Sequence, residues 1–254
     1  MSGRLFVIGL GPGAAEMQTP QATQALALAS DLLGYGPYLA RAPQQAGQIR
    51  HASDNREELA RARHGLCLAA SGKTVALLSG GDAGVFGMAA AVFEAIEHGE
   101  PAWRALEVEV VPGVSAMFAV AARLGAPLGH DFCAISLSDN LKPWALVRQR
   151  LTAAARAGFV MALYNPLSRA RPWQLGDAFA LLRGLLPGDT QVAFATAVSR
   201  ADERIDIMDL AVADPARADM RTLVLVGSAA TRRIDRPGQP PWLYTPRQAG
   251  ESAA

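Results

Sequence analysis

Three short stretches carry the residue types best suited to holding a small molecule. The first is Ser79-Gly80-Gly81-Asp82-Ala83-Gly84-Val85-Phe86-Gly87, which directly follows the apolar run 74–78 and precedes a helical pattern over 88–96. The second is Gly9-Leu10-Gly11-Pro12-Gly13-Ala14 behind the apolar run 4–8, and the third is Pro112-Gly113-Val114-Ser115-Ala116 behind 107–111. Glycine at this density is costly in conformational entropy. It is useful where the backbone must turn sharply and let another group come close. A buried strand that ends in such a loop and leads into a helix is where open α/β sheets receive ligands. A tight turn with nothing bound uses the same residues, and one loop alone does not separate the two readings.

Few acid–base groups accompany these loops. Asp82 and Asp139 are isolated carboxylates, and no Ser-His-Asp order, G-x-S-x-G elbow or Walker loop is present. Cys67 and Cys133 have no C-x-x-C spacing, and His51, His64, His98 and His130 have no ligand spacing, so neither a metal site nor a disulfide framework is expected. A cleft of backbone and small side chains suits a reaction in which a cofactor carries the reactivity and the protein orients it. Methyl transfer from S-adenosylmethionine is such a reaction, because the sulfonium is already activated and loses its charge on transfer.

Gly9, Gly11 and Ala14 also fit the dinucleotide fingerprint G-x-G-x-x-G/A, with Asp31 at the expected distance. That fingerprint needs the helix to begin at the glycines and point its N-terminus at a pyrophosphate. Here Thr19 as N-cap and Pro20 as first helical residue place the helix start later, and Pro12 removes one N–H donor. The loop reads instead as a wall of a cleft.

The bulk properties narrow the class. With 254 residues, half of them hydrophobic and a net charge of +1, the chain can bury a large core and lacks the basic excess that nucleic acid requires. No signal peptide or membrane-spanning run is expected, and the protein is read as cytoplasmic. Nearly all basic residues are arginine, which favours carboxylate or phosphate binding.

Strand–loop–helix units repeat through both halves, so the chain is read as α/β throughout. Helices are expected over 20–33, 56–71, 88–98, 115–124, 143–157 and 173–186. Strands are expected over 4–8, 74–78, 107–111, 132–137, 159–164, 190–196 and 222–226, with an antiparallel edge strand over 204–210. A first domain over 1–113, a second over 114–235 and a loose tail over 236–254 follow, with strand-end loops of both domains meeting in one cleft.

Taken together, Gly9-x-Gly-Pro-Gly13, Gly81-Asp82 with Phe86, and Pro112-Gly113-x-Ser115-Ala116 resemble the tetrapyrrole methylase family over residues 5–227. Gly80 to Ala89, Asp131-Phe132 leading to Ile135-Ser136-Leu137-Ser138-Asp139, and Leu163-Tyr164-Asn165-Pro166 with Ser168-Arg169 resemble its branch that methylates precorrin-3B at C17 in cobalamin biosynthesis. The resemblance implies two α/β domains, distinct from the common Rossmann-like methyltransferases, with the active-site cleft between them. It also implies a homodimer, with S-adenosylmethionine as cofactor and S-adenosylhomocysteine as product. By the same resemblance Gly81, Asp82 and Ala83 line the methionine end with Val85 and Phe86 beside them, and Ser115 and Ala116 touch the cofactor. Tyr164, Asn165, Ala193 and Thr222 complete the adenosine pocket, and Gly11, Pro12 and Gly13 floor the macrocycle trough. Many family members carry proline where this chain has Ala83.

The resemblance to that branch also implies contraction of the macrocycle with extrusion of C20, and contraction needs a proton carrier. Asp139, in a polar loop at a strand end, is the candidate, and an Asx-turn or cap before Pro143 is the other reading of the same residue. Ser138 and Arg169, with Arg171 and Arg200, are placed on the substrate and its carboxylate arms; surface charge is the alternative for each arginine. Ser115 caps a helix or touches the ligand. Three alternatives to C17 methylation stand beside it: methylation at C11 or C20, a nicotinamide-dependent oxidoreductase using the Gly9 loop, and a non-catalytic tetrapyrrole-binding protein.

Overall fold

Apolar runs of five or six residues, each closed by glycine or serine, become parallel strands because both faces of such a run can be buried. The computed structural model describes residues 3–54 and 56–248. The chain divides into two compact units, Met1–Ala116 and Met117–Ala254.

The first unit runs β1 (Arg4–Gly9), α1 (Pro20–Leu28), β2 (Asp31–Tyr35), α2 (Gly36–Leu39), β3 (Ile49–Ser53), α3 (Glu58–Ala70), β4 (Thr74–Ser79), α4 (Met88–His98) and β5 (Glu107–Val111). Its strands form one sheet in the order β3-β2-β4-β1-β5, all parallel. Side chains alternate across it. Leu5, Val7, Val75 and Leu77 pack with Leu66 of α3 and Val92 of α4, whereas Phe6, Ile8, Ala76 and Leu78 pack with Ala22 and Leu26 of α1. The result is a three-layer α/β/α sandwich with β4 as its central strand and β1 between β4 and β5.

Helix α1 starts as expected: Pro20 is its first residue, and the Thr19 hydroxyl accepts a hydrogen bond from the Ala22 N–H at 3.1 Å. It ends at Leu28 and not at residue 33, because Ala29 is extended and residues 31–35 form β2. Leu32 and Leu33 go to opposite cores, as a strand requires. Strand β3 was likewise not expected.

Asp31 sits at the start of β2, at the amino edge of the sheet, and is only 1% exposed. Its carboxylate accepts from His51 Nε2 at 2.8 Å, Lys73 Nζ at 3.0 Å and Ser30 Oγ at 2.8 Å. Burial works to raise its pKa, but the bonds from His51, Lys73 and Ser30 outweigh it and hold the carboxyl below its ordinary value. A depressed native pKa contributes stability above the unfolded-state value, and that contribution is lost as pH falls through the native one. Asp31→Asn should therefore lower stability by about 2–4 kcal/mol at pH 7. The deficit should shrink below about pH 4. Urea midpoints across pH test this, and a pH-independent deficit would remove the ionic explanation.

The second unit runs α5 (Ala116–Leu124, entered one residue early), β6 (Gly125–Ala126), β7 (Phe132–Ser136), α6 (Trp144–Arg156), β8 (Val160–Tyr164) and α7 (Gln174–Arg183). It continues with β9 (Gln191–Thr196), β10 (Arg204–Asp209), β11 (Thr222–Val226), β12 (Arg232–Arg236) and β13 (Gln239–Tyr244). Its main sheet is ordered β10-β9-β11-β8-β7. Only β7 and β8 are parallel, and β10 is an antiparallel edge strand, as its alternating pattern suggests. Leu151 of α6 and Phe179 of α7 cover one face together with Leu163, Phe194 and Val224.

The loose tail expected from residue 236 is not what the structure contains. Residues 232–244 make a hairpin that turns at Gly238 (φ +69°), pairs with β6 and buries Leu243 completely. Residues 249–254 of that expected tail lie outside the described residues. The units divide after Ala116, where the sequence reading places the change after residue 113.

Candidate active site

At the carboxyl edge of the first unit's sheet, the three glycine loops are locked together through their backbones. The Leu10 N–H donates to the Ser79 carbonyl at 2.9 Å, and Gly11 and Gly81 exchange two N–H···O bonds of 3.0 and 2.9 Å. Gly9 and Gly113 fill the remaining space: a Cβ on Gly113 would stand 2.3 Å from the Gly81 oxygen and 2.7 Å from the Gly9 carbonyl carbon. Asp82 ties two loops, accepting from the Gly84 N–H at 2.8 Å within its own and from the Gly113 N–H at 2.9 Å in the next.

Gly81 adopts φ +65°, and a Cβ there would stand in ordinary van der Waals contact with the Ala116 nitrogen at 3.8 Å and Ser115 Cα at 3.9 Å. Gly81, Ser115 and Ala116 are therefore brought together. Phe86 also takes a positive φ, 51°, and is half exposed beside Val85. Strain at a non-glycine residue persists only where its surroundings impose it, and it concentrates at functional loops.

Other expected residues are placed differently. Ala83 has no exposed surface, and its methyl lies in the core with Met88 and Ala89, so it supports the loop by packing and does not line it. Gly11 and Pro12 are buried, and only Gly13 of that trio keeps accessible surface. Asp31 lies at the opposite edge of the sheet, and a short 3-10 turn, Ala15–Met17, separates the Gly9 loop from α1. The dinucleotide reading therefore lacks both its acidic partner and its helix. Arg41, which sequence reasoning did not single out, donates through Nη2 to the carbonyls of Leu10 at 3.0 Å and Gly11 at 2.8 Å.

In the second unit, the expected residues gather at the carboxyl edge of β7 and β8. The Tyr164 hydroxyl accepts from the Met117 N–H at 3.1 Å near the start of α5. Asn165, at φ 52°, donates from Nδ2 to Ser136 Oγ at 3.0 Å, and the same oxygen receives the Ser138 N–H at 3.3 Å. Arg171 donates to the Asn165 carbonyl at 3.1 Å, while Arg169 is exposed. Asp139 does not cap α6, whose N-cap is Pro143; both its oxygens accept from Nε2 of the buried Gln174 at 3.1 Å.

Ala193 and Thr222 are not brought together. Ala193 opposes Leu225 and Thr222 opposes Thr196, which puts their side chains on opposite faces of the sheet. Ala193 is fully buried. The Thr222 hydroxyl bonds Thr196 Oγ1 at 2.7 Å and the Asp219 carboxylate at 3.0 Å. Burial pushes Asp219 up, but the Arg221 N–H, Thr222 and the Arg221 guanidinium hold it below the usual carboxylate range. Directly after β9, Ala197 (φ 52°) and Ser199 (φ 63°) form a further strained loop that sequence reasoning missed; neither is a residue whose type announces that conformation.

Among the described residues, no group of three or more His, Cys, Asp or Glu is placed to hold a metal, and no helix is long and apolar enough to cross a membrane.

This combination of a parallel sheet with three fused glycine loops and a second, mixed sheet is that of a tetrapyrrole methylase. The family described as Tetrapyrrole (Corrin/Porphyrin) Methylases matches residues 4–213, and the chain belongs to it. The chain is 58% identical over 247 residues to a precorrin-3B C(17)-methyltransferase of Sinorhizobium sp, covering 97% of each. It is 40% identical over 229 residues to a probable cobalt-factor III C(17)-methyltransferase of Salmonella typhimurium, covering 89% of this chain and 93% of the other. The crystal structure of the methyltransferase CobJ superposes with a TM-score of 0.92 at 49% identity, over 96% of this chain and all of that one.

Proposed function

We propose that this chain transfers a methyl group from S-adenosylmethionine to C17 of precorrin-3B and contracts the macrocycle to precorrin-4, a step of cobalamin biosynthesis. The observation that carries this reading is the locked loop cluster: Gly9, Gly81 and Gly113 in backbone contact, clamped by Asp82, with Ser115 and Ala116 packed beside Gly81. The higher similarity to the precorrin-3B enzyme than to the cobalt-factor III enzyme favours the metal-free substrate.

When bound, S-adenosylmethionine supplies an electrophilic methyl whose sulfonium charge disappears on transfer. The glycine loops fit such a molecule, because a Cβ-free wall lets a chain lie against the backbone. Gly81, Ser115 and Ala116 would hold its methionine end, with Asp82 fixing the loop and Val85 and Phe86 beside it. Tyr164 and Asn165 would serve the adenosine, whereas the Thr222 side chain lies on the opposite face of the sheet from Tyr164. Transfer to carbon needs orientation more than proton chemistry. Contraction does move protons, and Asp139, oriented by Gln174, is the carboxylate proposed to carry one. Ser138, Gly13 and Arg169 would face the substrate. The same reading makes the protein a cytoplasmic homodimer.

The test is calorimetry with S-adenosylmethionine, S-adenosylhomocysteine and NADH, followed by turnover with labelled methyl donor and either precorrin-3B or cobalt-factor III. The expected result is binding of the sulfonium pair, no binding of NADH, and one labelled methyl gained per precorrin-3B. Binding of NADH alone, or methylation at another carbon, would overturn the reading.

A further inference from the structure

Trp173 is a large apolar side chain left 49% exposed, although it is the N-cap residue of α7 and has a folded core beneath it. It is held there by design of its surroundings. Trp144, at the start of α6, packs on that core and meets Trp173 edge to face, with ring centroids 5.2 Å apart and planes at 78°. The Trp144 indole N–H donates to Asp177 Oδ2 at 2.8 Å, and Asp177 is ion-paired with Arg148. Trp144 is thus fixed by its own hydrogen bond and in turn fixes the tilt of Trp173.

The position of this pair matters. Trp173 directly precedes Gln174, whose amide orients both oxygens of Asp139. The strand-end loop that leads to it contains the tight turn closed by the Ser168 and Arg171 bonds, with Arg169 exposed in it. An indole, an oriented carboxylate and an exposed arginine therefore all lie on the loops that follow β7 and β8. Their chemistry matches a broad, flat, largely apolar ring rimmed by carboxylates. Aromatic faces supply contact area at low entropic cost, and guanidinium forks bind carboxylates.

We infer that Trp173 is a substrate-contacting residue that stacks against the tetrapyrrole macrocycle, with Trp144 as its positioning residue; this rests on the proposed function. Trp173 then sets affinity for the macrocycle and takes no part in holding the methyl donor.

The test compares Trp173→Ala and Trp173→Phe with wild type in three measurements: KM for precorrin-3B, KM for S-adenosylmethionine, and quenching of tryptophan emission by uroporphyrin III. Trp173→Ala should raise KM for the tetrapyrrole about tenfold or more, the scale of losing one stacked aromatic contact. Trp173→Phe should restore most of that loss. KM for S-adenosylmethionine should stay unchanged in both, and Trp173→Phe should lose the most strongly quenched component of the emission. An unchanged tetrapyrrole KM in Trp173→Ala overturns the inference. So does a parallel loss of S-adenosylmethionine binding, which would mark a structural role. If wild type itself neither methylates precorrin-3B nor is quenched, the proposed function falls, and this inference falls with it.

Discussion

Gly113→Ala should lose methyl transfer by about a hundredfold or more, the usual result of displacing a site by about 1 Å. The new Cβ would lie 2.3 Å from the Gly81 carbonyl oxygen and 2.7 Å from the Gly9 carbonyl carbon and oxygen. All of these are backbone atoms in strands or strand ends, so no flexible side chain can swing aside. The loop after β5 must back away, and the Gly113 N–H then leaves Asp82. Forcing atoms into a filled site costs about 1–3 kcal/mol, so the melting temperature should fall as well. Gly36→Ala is the control, because nothing lies within 4 Å of its Cβ position; it should keep wild-type activity and melting. Full activity in Gly113→Ala would mean that loop contact is not what builds the site.

Asp82→Ala should weaken S-adenosylmethionine binding by more than about tenfold and lower stability by about 2–3 kcal/mol, because hydrogen bonds to a charged group are worth about 1.5–3 kcal/mol each. The two N–H groups it leaves belong to different loops, Gly84 in its own and Gly113 in the next. Asp82→Asn should fall between, since its amide keeps one acceptor and turns a donor toward an N–H. Calorimetry with the methyl donor and denaturant titration read the two effects separately. Stability lost without any change in affinity would make Asp82 a structural clamp only.

The loops of this site were legible because their signal is local. A buried run such as residues 74–78 followed by four glycines announces both a strand and a close approach. Strand β2 was hidden because Leu32 and Leu33 continue the apolar rhythm of α1, and only the extended backbone at Ala29 shows that the helix has ended. Strand β3 and the hairpin of β12 and β13 carry too many polar, proline and glycine residues to stand out. Arg41, Gln174 and the true partners of Asp31 were missed for another reason: each pairing spans 20 to 42 residues, apart from the Ser30 bond to Asp31. No spacing rule along the chain encodes such pairs. Ala83 and Ala193 matched a motif, yet the fold uses their small size for packing.

Gly11 and Gly81 exchange two amide bonds in an isolated antiparallel bridge just past the ends of the parallel strands β1 and β4. The bridge ties the two loops directly to each other, so neither can move away without breaking both bonds. Segments that open and close over a ligand are drawn from the least stable parts of a protein, and this pair is excluded from that role. The Gly11–Gly81 pair is a fixed sill beside the candidate site.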